Sequence, residues 1–362
     1  MSQLYLTSTI NAWDSQTARS AFMDANSNVL LAGYITEGTT NTALAIKYNA
    51  AGFVWQLTYP GPFSTQFSDM VQLADDTYIA TGTYCTSGLA GAESIWLVNI
   101  DADGNNLGAI EVGLPGVQSW GTSIVATPDG GFIVTGIQIR GNSTSTLIAK
   151  YSANKTIEWQ QTQSGFACFS INANTGGTFI LSGRNTPNSL NSNPAAILMD
   201  GSGKIILNTI FTQFSIYTLQ GTDAIETADG NFVMVAQSVI IKFTGTGDVV
   251  WSRTTTNGKL SSLAQLSNGN IAMAGATVEF NVTQGYVVVT DSGGDDIIWD
   301  NSELMAGSMN YAVFIAPGYD VVWSTGTIYY GEVSMIVFAA YDPAITLTGK
   351  SGKSKSYAFA GK

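Results

Sequence analysis

Carboxylates and aromatics carry most of the chemistry this chain can offer. Five of its eight glutamates, Glu37, Glu93, Glu279, Glu303 and Glu332, fall in segments that read as variable loops. A glycosidase needs two carboxyl groups roughly 5–9.5 Å apart, and those loops are the places that would have to supply them. Arg140 and Arg184 lie in similar segments. Aromatic side chains gather between repeated units: Trp13, Phe63, Phe67, Trp120, Phe166, Phe214 and Tyr217. Set among Ser, Thr, Asn and Gly, exposed rings of this kind stack on sugars or anchor a protein partner. The plainer reading tucks each ring between neighbouring units. Trp13, Phe63, Phe67, Trp120, Phe166 and Tyr217 are therefore the candidate ligand-binding residues.

Metal and cofactor chemistry has less to work with. Asp101-x-Asp103-Gly104-Asn105 matches half of a calcium loop, but no bidentate Glu follows at the required distance. An Asx-stabilised turn accounts for it, as for the cluster Asp291, Asp295, Asp296 and Asp300. The chain has no histidine, which removes His-based triads, metal sites and pH switches. Cys85 and Cys168 make no disulfide framework. No set of cofactor ligands stands out in the sequence, so no cofactor is expected.

The balance of charge narrows the partners. Net charge is −12 and charged residues make up 11% of 362, which argues against nucleic acid or an anionic membrane. Hydrophobic residues at 45% suffice for a core. No apolar window is long enough to span a membrane, and residues 1–10 carry no secretion signal.

The elements that must position these residues repeat. A turn followed by a short apolar strand ending in Gly or Ala occurs at Gly33, Gly82, Gly136, Gly183, Ala236, Gly275 and Gly326. The gaps are 49, 54, 47, 53, 39 and 51 residues. Between these markers lie strand–tight turn–strand units, several with a Trp: Trp55, Trp159, Trp251 and Trp299. Four short strands per repeat, without helical periodicity, is the signature of a propeller blade. The expected fold is all-β, a seven-bladed β-propeller of four-stranded blades spanning 1–342. Residues 3–10 would close it as the outer strand of the last blade. An array of β-sandwiches is the weaker alternative. Residues 343–362 form a partly basic extension with Lys350, Lys353, Lys355 and Lys362.

A finer regularity lies nine residues before each second strand: Ser20, Asp69, Ser123, Ser170, Asp223, Ser262 and Ala312. A small polar residue on the innermost strand, bonding local backbone near the axis, explains it. A ligand-lined channel is the alternative.

The segments DGGFIVTG and LIAKYSANKTIEW resemble the tandem propeller repeats of many bacterial and archaeal surface proteins. The resemblance covers nearly the whole chain but lies in turns, strand ends and packing Trp residues. It implies the fold and transfers no active site. The functional expectation is a non-enzymatic binding or assembly module on an extracellular surface or virus particle. Its partners would be proteins in a larger assembly or a surface glycan, with no nucleic acid and no membrane insertion. A carbohydrate-active enzyme using loop carboxylates and a cytoplasmic interaction scaffold are the alternatives.

Overall fold

The computed structural model describes residues 15–341, apart from 50, 90, 114–115, 186–191, 215–221, 256–257, 280–281, 295–296, 305–307, 316–321 and 331–332. Six antiparallel four-stranded sheets follow one another along the chain, at 15–59, 64–112, 118–164, 166–210, 222–254 and 258–304. They are blades 1 to 6. A seventh sheet has three strands, Ser308–Ile315, Val322–Tyr330 and Val333–Tyr341. Strand order equals chain order in every sheet. The first strands of successive sheets touch around the ring, and Ser15–Met23 of blade 1 lies against the three-stranded sheet.

This β-propeller corrects the expectation of seven four-stranded blades. The repeat marker sits on second strands, and among the described residues six sheets show a fourth strand and the seventh shows three strands. Residues 3–10, expected to close the last blade, lie outside the described residues, and closure by them is not shown.

Burial follows the order of strands. Second and third strands are continuous apolar runs, such as Phe132–Arg140 and Pro194–Asp200, and are almost wholly buried. Both their faces meet neighbouring blades, which is why they read as runs rather than as alternation. Fourth strands are exposed along most of their length, as in Asn106–Val112 and Ile157–Ser164. The core is accordingly a series of layers between blades. Leu30, Ala43 and Tyr59 of blade 1 pack with Phe67, Tyr78 and Trp96 of blade 2, and Ile133 and Ile148 of blade 3 with Phe166, Ile171 and Phe179 of blade 4.

The marker glycine has a local cause. In each sheet whose marker is a glycine the first strand bulges by one residue opposite it, as between Ala18 and Ser20 in blade 1 and between Phe67 and Asp69 in blade 2. The bulge drives the first-strand backbone against the marker, so that a Cβ on Gly33 or Gly82 would lie 1.9 Å from a carbonyl oxygen. Blade 5 has Ala236 at this position, and its first and second strands pair in unbroken register from Thr222↔Ala236 to Glu226↔Phe232. The blade without the glycine is a blade without the bulge.

Candidate functional site

Along the inner ring of first strands, the polar positions of blades 1 to 6 are joined by a chain of hydrogen bonds. Asp69 Oδ1 accepts from Ser20 Oγ of blade 1 at 2.6 Å and from its neighbour Met70 N at 2.9 Å. Its Oδ2 accepts from Ser123 Oγ at 2.8 Å and Ile124 N at 3.0 Å, both in blade 3. Asp223 repeats this across blades 4, 5 and 6. Oδ1 accepts from Ser170 Oγ at 2.7 Å, Asn172 Nδ2 at 2.8 Å and Ala224 N at 3.0 Å. Oδ2 accepts from Ser262 Oγ at 3.3 Å and Leu263 N at 3.1 Å. Ile171 N donates to Ser123 Oγ at 3.3 Å and joins the two halves.

The ring therefore bonds neighbouring blades, not merely local backbone. Desolvation pushes both carboxyls above their ordinary range, and the hydrogen bonds they accept pull the other way. With four and five donors in place, neither carboxylate has lone pairs left over for acid–base work.

The other ionic groups near the tight turns are also committed. Lysines on the third strands of blades 1, 3 and 5 reach the turn between first and second strands. Lys150 Nζ pairs with Asp129 and lies 2.8 Å from Glu158, and Lys242 Nζ lies 2.6 Å from Asp229. Lys47 Nζ bonds Tyr78 Oη at 3.1 Å, and that hydroxyl donates to Asp24 Oδ2 at 2.9 Å. The Lys150 contact holds Asp129 down at about 2. Burial opposes ionisation of Asp229, but Lys242, Thr227 and Asn231 still hold it below the usual carboxylate range. Burial likewise works against the Lys150 charge, and its two carboxylate partners override it and raise the amine. Burial pushes the Cys168 thiol up to about 12, leaving little thiolate for nucleophilic work.

Asp101 closes an Asx turn. Its Oδ1 accepts from Asp103 N and Asn105 N, and its Oδ2 from Asn105 Nδ2 at 3.0 Å. Among the described residues no group of three or more His, Cys, Asp or Glu side chains is arranged to hold a metal.

The aromatic candidates separate by burial. Phe67 is fully buried and stacks on Trp96 with ring centroids 5.4 Å apart. Phe166 is buried in the layer between blades 3 and 4. A ligand reaches neither, because the inter-blade core claims both rings. Phe214 packs against the layer between blades 4 and 5. Phe63 is exposed on the connection into blade 2, and Trp120 is half-buried on the first strand of blade 3. Trp13 and Tyr217 lie outside the described residues. Of the loop glutamates, Glu37 of blade 1 is exposed, and Glu93 of blade 2 accepts from Gly91 N at 3.1 Å. Glu279 and Glu303 lie on strands of blade 6, their side chains outside the description, as is Glu332 altogether. Arg140 is exposed, and partial burial pulls the Arg184 guanidinium below its ordinary value.

One surface went unread in the sequence. Phe53, Leu107, Ile157, Ile206 and Val250 are each more than half exposed, and all stand near the start of a fourth strand. Val54, Ile205 and Val249 extend the band. The signal was present as apolar pairs just after the last tight turn of the repeat, but it looked like ordinary strand composition. Beside this band the fourth-strand tryptophans settle onto the next blade. Trp55 lies over Gly104, Trp159 over Gly203 and Trp251 over Gly294, each glycine at positive φ with no room for a side chain. Trp55 Nε1 donates to Ala102 O at 3.0 Å and Trp159 Nε1 to Gly201 O at 3.2 Å.

No family model matches the chain. No curated protein matches it either. Solved structures do. A sialidase described as Hadza microbial sialidase Hz136 is 10% identical, covering 85% of this chain and 74% of its own, with a TM-score of 0.53. Sqt1 from Chaetomium thermophilum is 12% identical over 77% and 69% of the two chains, with a TM-score of 0.49. A protein of unknown function from Bacteroides caccae is 13% identical over 76% and 93%, with a TM-score of 0.48. At such identities the likeness is one of fold, and the chain is a β-propeller of small antiparallel sheets.

Proposed function

We propose that this propeller is a non-enzymatic binding and assembly module that holds protein partners at its outer rim, on an extracellular surface or virus particle. The apolar band of the fourth strands carries this reading. Edge strands of soluble proteins are normally blunted with charge or proline, and contiguous exposed apolar surface marks interaction sites. Here Gly52–Tyr59 and Ile205–Ile210 have neither charge nor proline. Two buried aspartates are held by hydrogen bonds between blades, and Asp129 and Asp229 are paired with lysines. The likeness of the Asp-Gly-Gly repeats to those of surface proteins agrees with this placement. Among the described residues Phe63, Trp120 and Phe214 are candidate aromatics with solvent access, and Phe63 and Trp120 add a second contact for a glycan or protein.

Native mass spectrometry on protein from its natural source tests the proposal. A fixed-stoichiometry assembly is the expected result. A monomer that turns over a glycan, a sialoside included, would overturn it.

A further inference from the structure

The rim offers one strand that suits a copy of itself. Ile205–Ile210 (IILNTI) is the outermost strand of blade 4, paired on its inner side through Ile197↔Asn208 and Ala195↔Ile210. Leu207 and Thr209 lean on Gly247 of blade 5. Ile206, Asn208 and Ile210 are left exposed.

Charge limits what such an edge can meet. The protein carries −12, so two copies repel except where their surfaces are neutral. Most fourth strands fail that condition: Asn106–Val112 carries Glu111, Ile157–Ser164 carries Glu158, Val249–Thr254 carries Arg253, and Ile297–Leu304 carries Asp300 and Glu303. Gly52–Tyr59 is neutral and also exposes Phe53, Val54 and Leu57, but Trp55 and Leu57 lean on Gly104 of blade 2, and Val54 is the one aliphatic residue of the alternate set Val54, Gln56 and Thr58.

The geometry points to a two-fold dimer in which Ile205–Ile210 pairs antiparallel with the same strand of a second copy, about an axis through Asn208. This rests on the reading of the rim as an assembly surface and names its occupant. A two-fold contact must be self-complementary, and this strand is. With Asn208 opposite Asn208, Ile206 faces Ile210 of the second copy, and Leu207 faces Thr209. Apolar cross-strand pairs and the newly filled backbone ladder stabilise the contact, and no like charges are set opposite each other.

Asn208→Cys in the full chain tests the axis directly. Directly opposed residues in an antiparallel pair have Cα atoms about 4.5–5.5 Å apart, within disulfide reach. Under copper–phenanthroline oxidation this variant is expected to give a covalent dimer, while Gln160→Cys, exposed on the edge of blade 3, gives little. Sedimentation of the unmodified chain should show a concentration-dependent dimer that is lost in Ile206→Lys/Ile210→Lys, a variant altered at exposed positions alone. Three results would each overturn self-pairing: a monomer at the highest soluble concentration, equal cross-linking of the two cysteine variants, or a dimer that survives the double substitution. A monomer in pure form beside a source assembly containing a different protein would sink self-pairing and leave the rim reading intact. A bare monomer from the source would sink both.

Discussion

The inner ring and the outer rim of this propeller invert the usual placement of polar and apolar groups. Around the axis stand serines, an asparagine and two aspartates, their hydrogen-bonding capacity taken up by adjoining blades. At the periphery stand Phe53, Leu107, Ile157, Ile206 and Val250, exposed and bonded to nothing polar by their nature. The inner arrangement serves the fold, since a buried carboxylate is tolerated when every lone pair is met. The outer one gives the fold little, because those side chains gain little by folding. Stability and contact with other molecules are thus handled at different radii.

Removing a ring carboxylate is the hardest test of that division. Asp223→Ala removes the acceptor shared by Ser170, Asn172, Ser262 and two backbone amides, and should cost about 3 kcal/mol in chemical denaturation, within the range for breaking a buried charged network. A loss below about 1 kcal/mol would mean the ring does not hold the blades. Gly82→Ala should follow at about 1–3 kcal/mol, because its Cβ meets the Gln66 carbonyl with no room to relax. Ala236→Gly, in the unbulged blade 5, should cost about 1–2 kcal/mol, from backbone entropy together with the loss of a fully buried methyl.

Acid provides a subtler handle. The folded pKa values of Asp69 and Asp223 are raised, so ionisation comes more readily to the unfolded chain. Their contribution is full below the unfolded value, about 3.9, and is lost as pH rises through the folded values. Asp129 and Asp229 have the opposite sign, and their stabilisation disappears as pH falls through their depressed values, near 2 for Asp129. Denaturation midpoints should hold or rise from neutral pH toward about 4 and fall below that. Asp69→Asn/Asp223→Asn should remove the rise, and an unchanged profile would count against desolvation at the axis.

The rim should give the smallest stability effect. Val250→Lys is expected to move folding free energy by no more than about 0.5 kcal/mol. A larger loss would show that the rim contributes to the fold and would blur the contrast with the ring.

Much of the fold was readable from local pattern. The strand-and-turn repeat is written within each unit of some 50 residues, as in DGGFIVTG, because strand burial and turn chemistry act over a few residues. Ser20, Asp69, Ser123, Ser170, Asp223 and Ser262 were visible as a column, though not the blade-to-blade direction of their bonds. Phe67 and Phe63, four residues apart at the entry to blade 2, were indistinguishable in sequence and ended as a core ring and a surface ring. Which of two nearby aromatics is covered depends on the neighbouring blade, some tens of residues away.

By itself the sequence determined that the chain is all-β, repetitive, poor in charge and without histidine chemistry, since composition and short-range periodicity carry that information. Tertiary structure alone decided that, among the described residues, six sheets have four strands and the last has three. It also decided that the recurring column of Ser and Asp clamps blades rather than lining a bare channel, and that apolar pairs such as Ile205–Ile206 face outward. Each of those outcomes depends on which strands meet across blades, and contacts between residues 40 to 50 positions apart leave no mark in a local pattern.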